Sequence, residues 1–102
     1  MNREDPLLTA LADAKRRKDQ ADQQIRLLLA YAREHVQPRP YRLADLAQAA
    51  GMSISGTRTA YTQADIEQAA RLTSGARSRH LAAVIVSLLI NGRSAREHHP
   101  AA

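Results

Sequence analysis

The chain has 102 residues and carries 15 Lys and Arg against 10 Asp and Glu, a formal charge of +5 with neutral histidines and a sequence pI near 10.4. A chain this short forms one small domain with little room for a deep catalytic cleft inside one protomer, and the absence of cysteine removes disulfides, cysteine–zinc sites and thiol chemistry. No secretory leader is legible at the N-terminus, and the most apolar run, Leu81 to Ile90, is about half the length that spans a bilayer, so a cytoplasmic, nucleoid-associated protein without membrane contact is expected.

Twenty alanines and 12 leucines against three tyrosines as the only aromatics favour helices and disfavour strands, so the expected fold is all-α. Thirteen of the 15 basic residues are arginine, the side chain that forks onto phosphate and guanine edges, which makes nucleic acid the first partner class to weigh. Arginine and alanine richness also follows from a GC-rich genome, so charge alone does not separate that partner from a merely soluble surface.

Asp5-Pro6 reads as a helix start, because Asp caps free N–H groups and Pro at the first helical position gives up a donor that has no partner anyway. Nothing breaks that helix before Gln37-Pro38, so residues 1–37 are expected to be one long N-terminal helix. Leu11, Ala14, Lys18, Ala21, Ile25, Leu28 and Ala32 recur at alternating three- and four-residue steps, a heptad-like seam. The stretch Lys15 to Gln24 has almost nothing to bury; it is a solvated face, lies along a partner, marks where two shorter helices meet, or contacts phosphate through Lys15, Arg16, Arg17 or Lys18. Gln37-Pro38-Arg39-Pro40 cannot continue a helix and forms a stiff basic linker.

Three short helices follow over residues 41–73. Leu43 to Ala50 buries Leu43, Leu46, Ala47 and Ala50 and stops at Gly51; a second helix runs from Ser53 to about Tyr61; and Thr62-Gln63-Ala64-Asp65 is a capping box opening a third, whose buried stripe is Ile66, Ala69, Ala70 and Thr73. The last helix, within residues 76–91, is apolar around roughly two-thirds of its circumference, more than one layer of neighbours covers. Homodimerisation through Leu81, Ile85, Val86, Leu89 and Ile90 is the economical expectation, against a helix driven through the centre of a monomer. Residues 1–92 thus make one domain, and 93–102 a frayed tail.

The stretch LADLAQAAGMSISGTRTAY from Leu43 resembles a helix-turn-helix DNA-binding motif. Ala47 is small where crossing helices come closest, Gly51 sits at the turn, and Met52 and Ile54 are apolar plugs between the helices. Thr57 and Ala60 stand where such motifs usually carry inward aliphatic residues, and Gly56 weakens the second helix or permits close approach of a backbone, protein or DNA. Tyr41-Arg42-Leu43 before the motif, and Tyr61 to Glu67 after it, are similar to MerR-like regulators without their wing, so no effector, metal or wing chemistry is implied.

The helix-turn-helix resemblance implies that the second helix enters the major groove with Ser55, Arg58 and Thr59 outward, Arg58 reading guanine. Ser53, Ser55, Thr57 and Thr59 suit phosphate or single base contacts, and Arg39, Tyr41 and Arg42 the flanking backbone, although Tyr41 and Tyr61 suit core packing equally. The four histidines, His35, His80, His98 and His99, lack the spacing of a metal site, and no phosphate loop or nucleophile motif is present, so neither catalytic residues, metal, cofactor nor small-molecule ligand is expected. The expected function is a homodimeric, sequence-specific double-stranded DNA-binding protein, a bacterial-type transcriptional regulator on a pseudo-palindromic site. The alternative is a helical interaction module, antitoxin-like or adaptor, whose apolar last helix binds another chain.

Overall fold

Residues 5–73 and 85–90 are described by a computed structural model of the chain, and within them the regular structure is helical: α1 (Pro6–Glu34), α2 (Leu43–Ala50), α3 (Ile54–Arg58), α4 (Gln63–Leu72) and α5 (85–90). The fold is all-α, a long N-terminal helix followed by short ones. Leu81, the earlier part of the expected last helix and the expected tail over 93–102 lie outside the described residues.

Helix α1 begins as expected. The Asp5 carboxylate accepts from the N–H groups of Leu7 (2.9 Å) and Leu8 (3.3 Å), with Pro6 at the first helical position. It ends at Glu34, three residues short of Gln37. The His35 N–H still donates to the Tyr31 carbonyl at 3.0 Å, but Val36 then turns inward and is buried, and Pro38 forbids helical geometry at Gln37.

The core gathers on the last turns of α1. Leu27, Tyr31 and Val36 pack with Ala69 of α4 and with Ile85 and Leu89 of α5, flanked by Leu28, Tyr41 and Leu72. Leu29, Ala30 and Ala32 are buried as well, so most of the circumference at this end of α1 is covered, with Leu28 and Arg33 half-buried and Glu34 exposed. The heptad-like seam therefore packs within the chain only at its C-terminal end. Leu11 is 65% exposed, and Ala14, Lys18, Ala21 and Ile25 are exposed too. Three of the four basic residues at 15–18 pair locally, Lys15 with Asp19 (2.6 Å), Lys18 with Asp22 (3.3 Å) and Arg16 with Asp13. The charge run is thus largely balanced along the helix surface.

The linker is held rather than loose. The Tyr41 N–H donates to the Ala32 carbonyl (3.1 Å), and the Arg33 guanidinium donates to the Tyr41 carbonyl (2.7 Å), so both backbone groups of Tyr41 are fastened to α1. Helix α4 opens with the expected capping box: Thr62 Oγ1 accepts from the Asp65 N–H (3.2 Å), and Asp65 Oδ2 accepts from the Thr62 N–H (2.9 Å). Asp65 is only 7% exposed and has Arg26 of α1 at 3.5 Å, which compensates its burial.

The dimer face assigned to the last helix needs correction. Ile85 and Leu89 stand one turn apart on the side of α5 that fills the protomer's own core, so they are not interface residues. Val86, 44% exposed, and Ile90 remain on the outside. Residues of α1 and α4 cover the side of α5 that carries Ile85 and Leu89.

Asp65→Ala removes half of the capping box and the partner of Arg26, and is expected to cost about 1 to 2 kcal/mol. Asp19→Ala, at an exposed ion pair, stays within about 0.5 kcal/mol. Urea midpoints at constant m-value compare the two; equal losses would show that α4 is not anchored through Asp65.

Candidate nucleic-acid interface

Helices α2 and α3 pack against each other, and α2 also touches α1. The joint between them is set by Gly51, whose φ of +69° and ψ of +35° are the left-handed geometry that a Cβ disfavours. Its N–H and that of Met52 close the end of α2 onto the carbonyls of Ala47 and Gln48. Ala47 is buried, as a close helix crossing requires, and Met52 is half-buried in the turn. Ile54 is not a plug between the helices: it is 48% exposed.

Ser53 caps α3, its Oγ accepting from the Gly56 N–H at 2.9 Å. A Cβ added at Gly56 would lie 3.0 Å from that same Oγ, so the glycine makes room for the cap and its role is local. Helix α3 is shorter than expected, ending at Arg58 rather than Tyr61. Thr59 leaves helical geometry, and its Oγ1 turns back to the carbonyls of Ser55 (3.3 Å) and Gly56 (3.4 Å), a local bond that competes with helix propagation.

Thr57 is 0% exposed, and its hydroxyl donates to the Ser53 carbonyl at 2.8 Å. It is a packing residue and is withdrawn from the candidate contacts. The inward position is filled by a threonine because the hydroxyl is satisfied by the carbonyl one turn back. Ser53, Ser55, Arg58 and Thr59 are exposed, and the last three, at steps of three and four, share one side of this short segment. Arg39 and Arg42 are exposed just before α2, with Arg42 Nε 4.0 Å from the Asp45 carboxylate. Tyr41 is half-buried against the core and clamped through its backbone, so it serves packing first.

Four positioning residues escaped the reading of the sequence. Besides Arg26 and Arg33, the Glu34 carboxylate accepts from the Tyr61 hydroxyl at 2.7 Å, tying the chain after α3 to the end of α1. His35 Nε2 lies 2.8 Å from the Ile66 carbonyl, tying α4 to the same place. The Tyr61 hydroxyl is pushed up to about 12, first by burial and then by its bond to the Glu34 carboxylate. These partners stand 27 and 31 residues apart, beyond any local pattern. Among the described residues no group of three or more His, Cys, Asp or Glu is placed to hold a metal, and no helix is long and apolar enough to cross a membrane.

No family model, curated protein or solved structure matches this chain. The reading of its surface rests on its own residues and their geometry.

Tyr61→Phe deletes the bond to Glu34 and is expected to cost about 0.5 to 1 kcal/mol at neutral pH. Because the folded state raises the hydroxyl above its ordinary value near 10, the protonated form is the one folding favours. That contribution is complete below pH 10 and is lost as pH rises from about 10 to 12. Denaturation midpoints across this window should fall more steeply for the wild type than for Tyr61→Phe; parallel curves would remove Tyr61 from the list of anchors.

Proposed function

We propose that the protein is a sequence-specific double-stranded DNA-binding protein, a transcriptional regulator that acts as a homodimer with α3 directed at the major groove. The observation that carries this reading is that within α3 Thr57 is buried against the fold while Ser55, Arg58 and, just past the helix, Thr59 are exposed, directly after a left-handed glycine turn from α2. The reading gives Arg58 the role of bonding O6 and N7 of one guanine, as an arginine on the second helix of such a pair can do. Arg39 and Arg42 stand ready for the flanking phosphates, and Ser53 for a phosphate near the start of α3.

The net charge supports the same partner, and its distribution sharpens the assignment. Lys15, Arg16 and Lys18 face carboxylates of their own helix, whereas Arg39 and Arg58 have no acidic side chain within 4 Å among the described residues. Arg39 and Arg58 are therefore open to phosphate or base, as are Arg17 of α1 and Arg71 of α4, which also lack an acidic partner among the described residues. A five-residue recognition helix has a small footprint, so specific affinity calls for two half-sites and hence two copies. The interaction-module alternative draws support from the exposed leucines of α1, which also suit a protein partner.

Selection of bound sites from a random duplex pool, followed by titration over a range of salt, tests the reading. Binding should weaken steeply with salt. Arg58→Ala is expected to relax preference at one base pair by about 1 to 3 kcal/mol, and Arg16→Ala to leave preference unchanged. No enrichment of any site, or equal losses for both variants on every duplex, would overturn it.

A further inference from the structure

The N-terminal part of α1 carries an apolar stripe that its own chain leaves uncovered. Leu7 is 76% and Leu11 65% exposed, and the stripe runs on through Ala14, Lys18 and Ala21 to the exposed Ile25. Burial along the helix begins only at Leu27. Helices in proteins owe most of their stability to a packed amphipathic face, so some twenty residues of projecting helix with such a face call for a partner.

We infer that this stripe pairs with the same stripe of a second copy of the chain, antiparallel, about a two-fold axis between Lys18 and Ala21. The heptad places Leu11, Lys18 and Ile25 at one core position and Ala14, Ala21 and Leu28 at the other. In the antiparallel register Leu11 meets the partner's Leu28, Ala14 meets the partner's Ile25, and Lys18 crosses the partner's Ala21. Large residues then face small ones in the middle layers, and the lysine stem lies over an alanine while its ammonium keeps Asp22 of its own helix at 3.3 Å. The flanking charges select this register. Lys15 falls opposite the partner's Asp22, twice by symmetry, whereas sliding the helices by one heptad toward their N-termini sets Lys15 against the partner's Lys15 and Arg17 against the partner's Arg17. A single lysine within the core is itself a device that fixes register and pair number.

The pairing deepens the DNA reading and, for its consequence on operator spacing, rests on it. The packed bodies, centred near Tyr31, come to stand about twenty-three residues apart along the pair, roughly 35 Å. One turn of B-DNA is about 34 to 36 Å, so the separation of the two bodies is of the size that half-sites one turn apart call for.

The experiment is sedimentation equilibrium of the full chain at high micromolar concentration. The wild type should sediment at twice the 11.2 kDa protomer mass, and Leu11→Glu at the protomer mass with its helicity retained, while Val86→Glu leaves the dimer intact. Lys15→Glu and Asp22→Lys each set like charges across the axis and should weaken association at least tenfold. An equimolar mixture of those two variants restores opposite charges at both contacts without altering any pair within a chain, and should regain the dimer. A monomeric wild type, an unchanged mass for Leu11→Glu, a mixture no tighter than its components, or ready disulfide formation between two Leu11→Cys chains would overturn the proposal. A dimer that binds no duplex overturns the DNA reading alone, and a protein that binds duplex specifically as a monomer overturns this one alone.

Discussion

The structure depends on the burial of one short length of chain at the end of α1 and just beyond it, through Leu27, Leu29, Ala30, Tyr31, Ala32 and Val36. Each fully buried Leu or Val there contributes about 1.5 to 3 kcal/mol, and the groups that surround it bring every other element to the same place. Helix α4 arrives through Ala69, the Arg26–Asp65 ion pair and the His35–Ile66 contact; α5 arrives through Ile85 and Leu89. The α2–α3 pair has almost no core of its own, since Ala47 and Thr57 are its only fully buried residues. It is held instead from its two ends, by the clamp of Ala32 and Arg33 on Tyr41 before α2 and by Glu34 on Tyr61 after α3. A helix pair secured at both ends by hydrogen bonds to a packed helix has a defined direction, which the proposed presentation of Arg58 to a groove would require.

Local chemistry was legible in the sequence wherever a few adjacent residues decide the outcome. Asp5-Pro6, Gly51 and the Thr62–Asp65 box set helix ends through bonds spanning two to four residues, and each stands where the pattern placed it. The second helix of the pair was overestimated because propensity counts Thr59 and Ala60 as helix-compatible, whereas the Thr59 hydroxyl bonds back to the carbonyls of Ser55 and Gly56 as the helix ends. Apolar periodicity identified which faces of α1 and α5 want cover, but not what covers them. Thus Ile85 and Leu89 read as an intermolecular face although they close the protomer core, while Leu11 and Ile25 read as part of a seam that the protomer leaves open. Arg26, Arg33, Glu34 and His35 passed unnoticed because a charged residue on a helix carries no sign of a partner made only by the tertiary fold.

Of the candidate contacts, the hydroxyl residues were the least separable from sequence alone. Ser53, Ser55, Thr57 and Thr59 alternate through one stretch, and nothing in their identity distinguishes a phosphate contact from a backbone contact. The geometry divides them: Thr57 is consumed by packing, Ser53 caps the helix, Thr59 turns toward its own carbonyls, and Ser55 stays on the exposed side with Arg58. Three of these four side chains thus already work for the short helix itself, so on the proposed function the discrimination between base pairs would fall to Arg58.

On the proposed function, the two unusual proportions of the chain, a 29-residue first helix and a five-residue α3, are connected by one physical requirement. A short helix with a single arginine cannot by itself supply the contacts that separate specific from nonspecific binding, so its specificity must come from repetition at a fixed distance. Fixing a distance of tens of ångströms calls for a stiff element whose ends are each anchored, and a helix rooted in the core by residues 27–36 is such an element once its free half is paired. On the inferred pairing, the ion pairs along residues 13–22 have a use beyond solubility: they leave the middle of α1 close to neutral, so that two copies could lie side by side without the repulsion that four unbalanced cations per helix would bring.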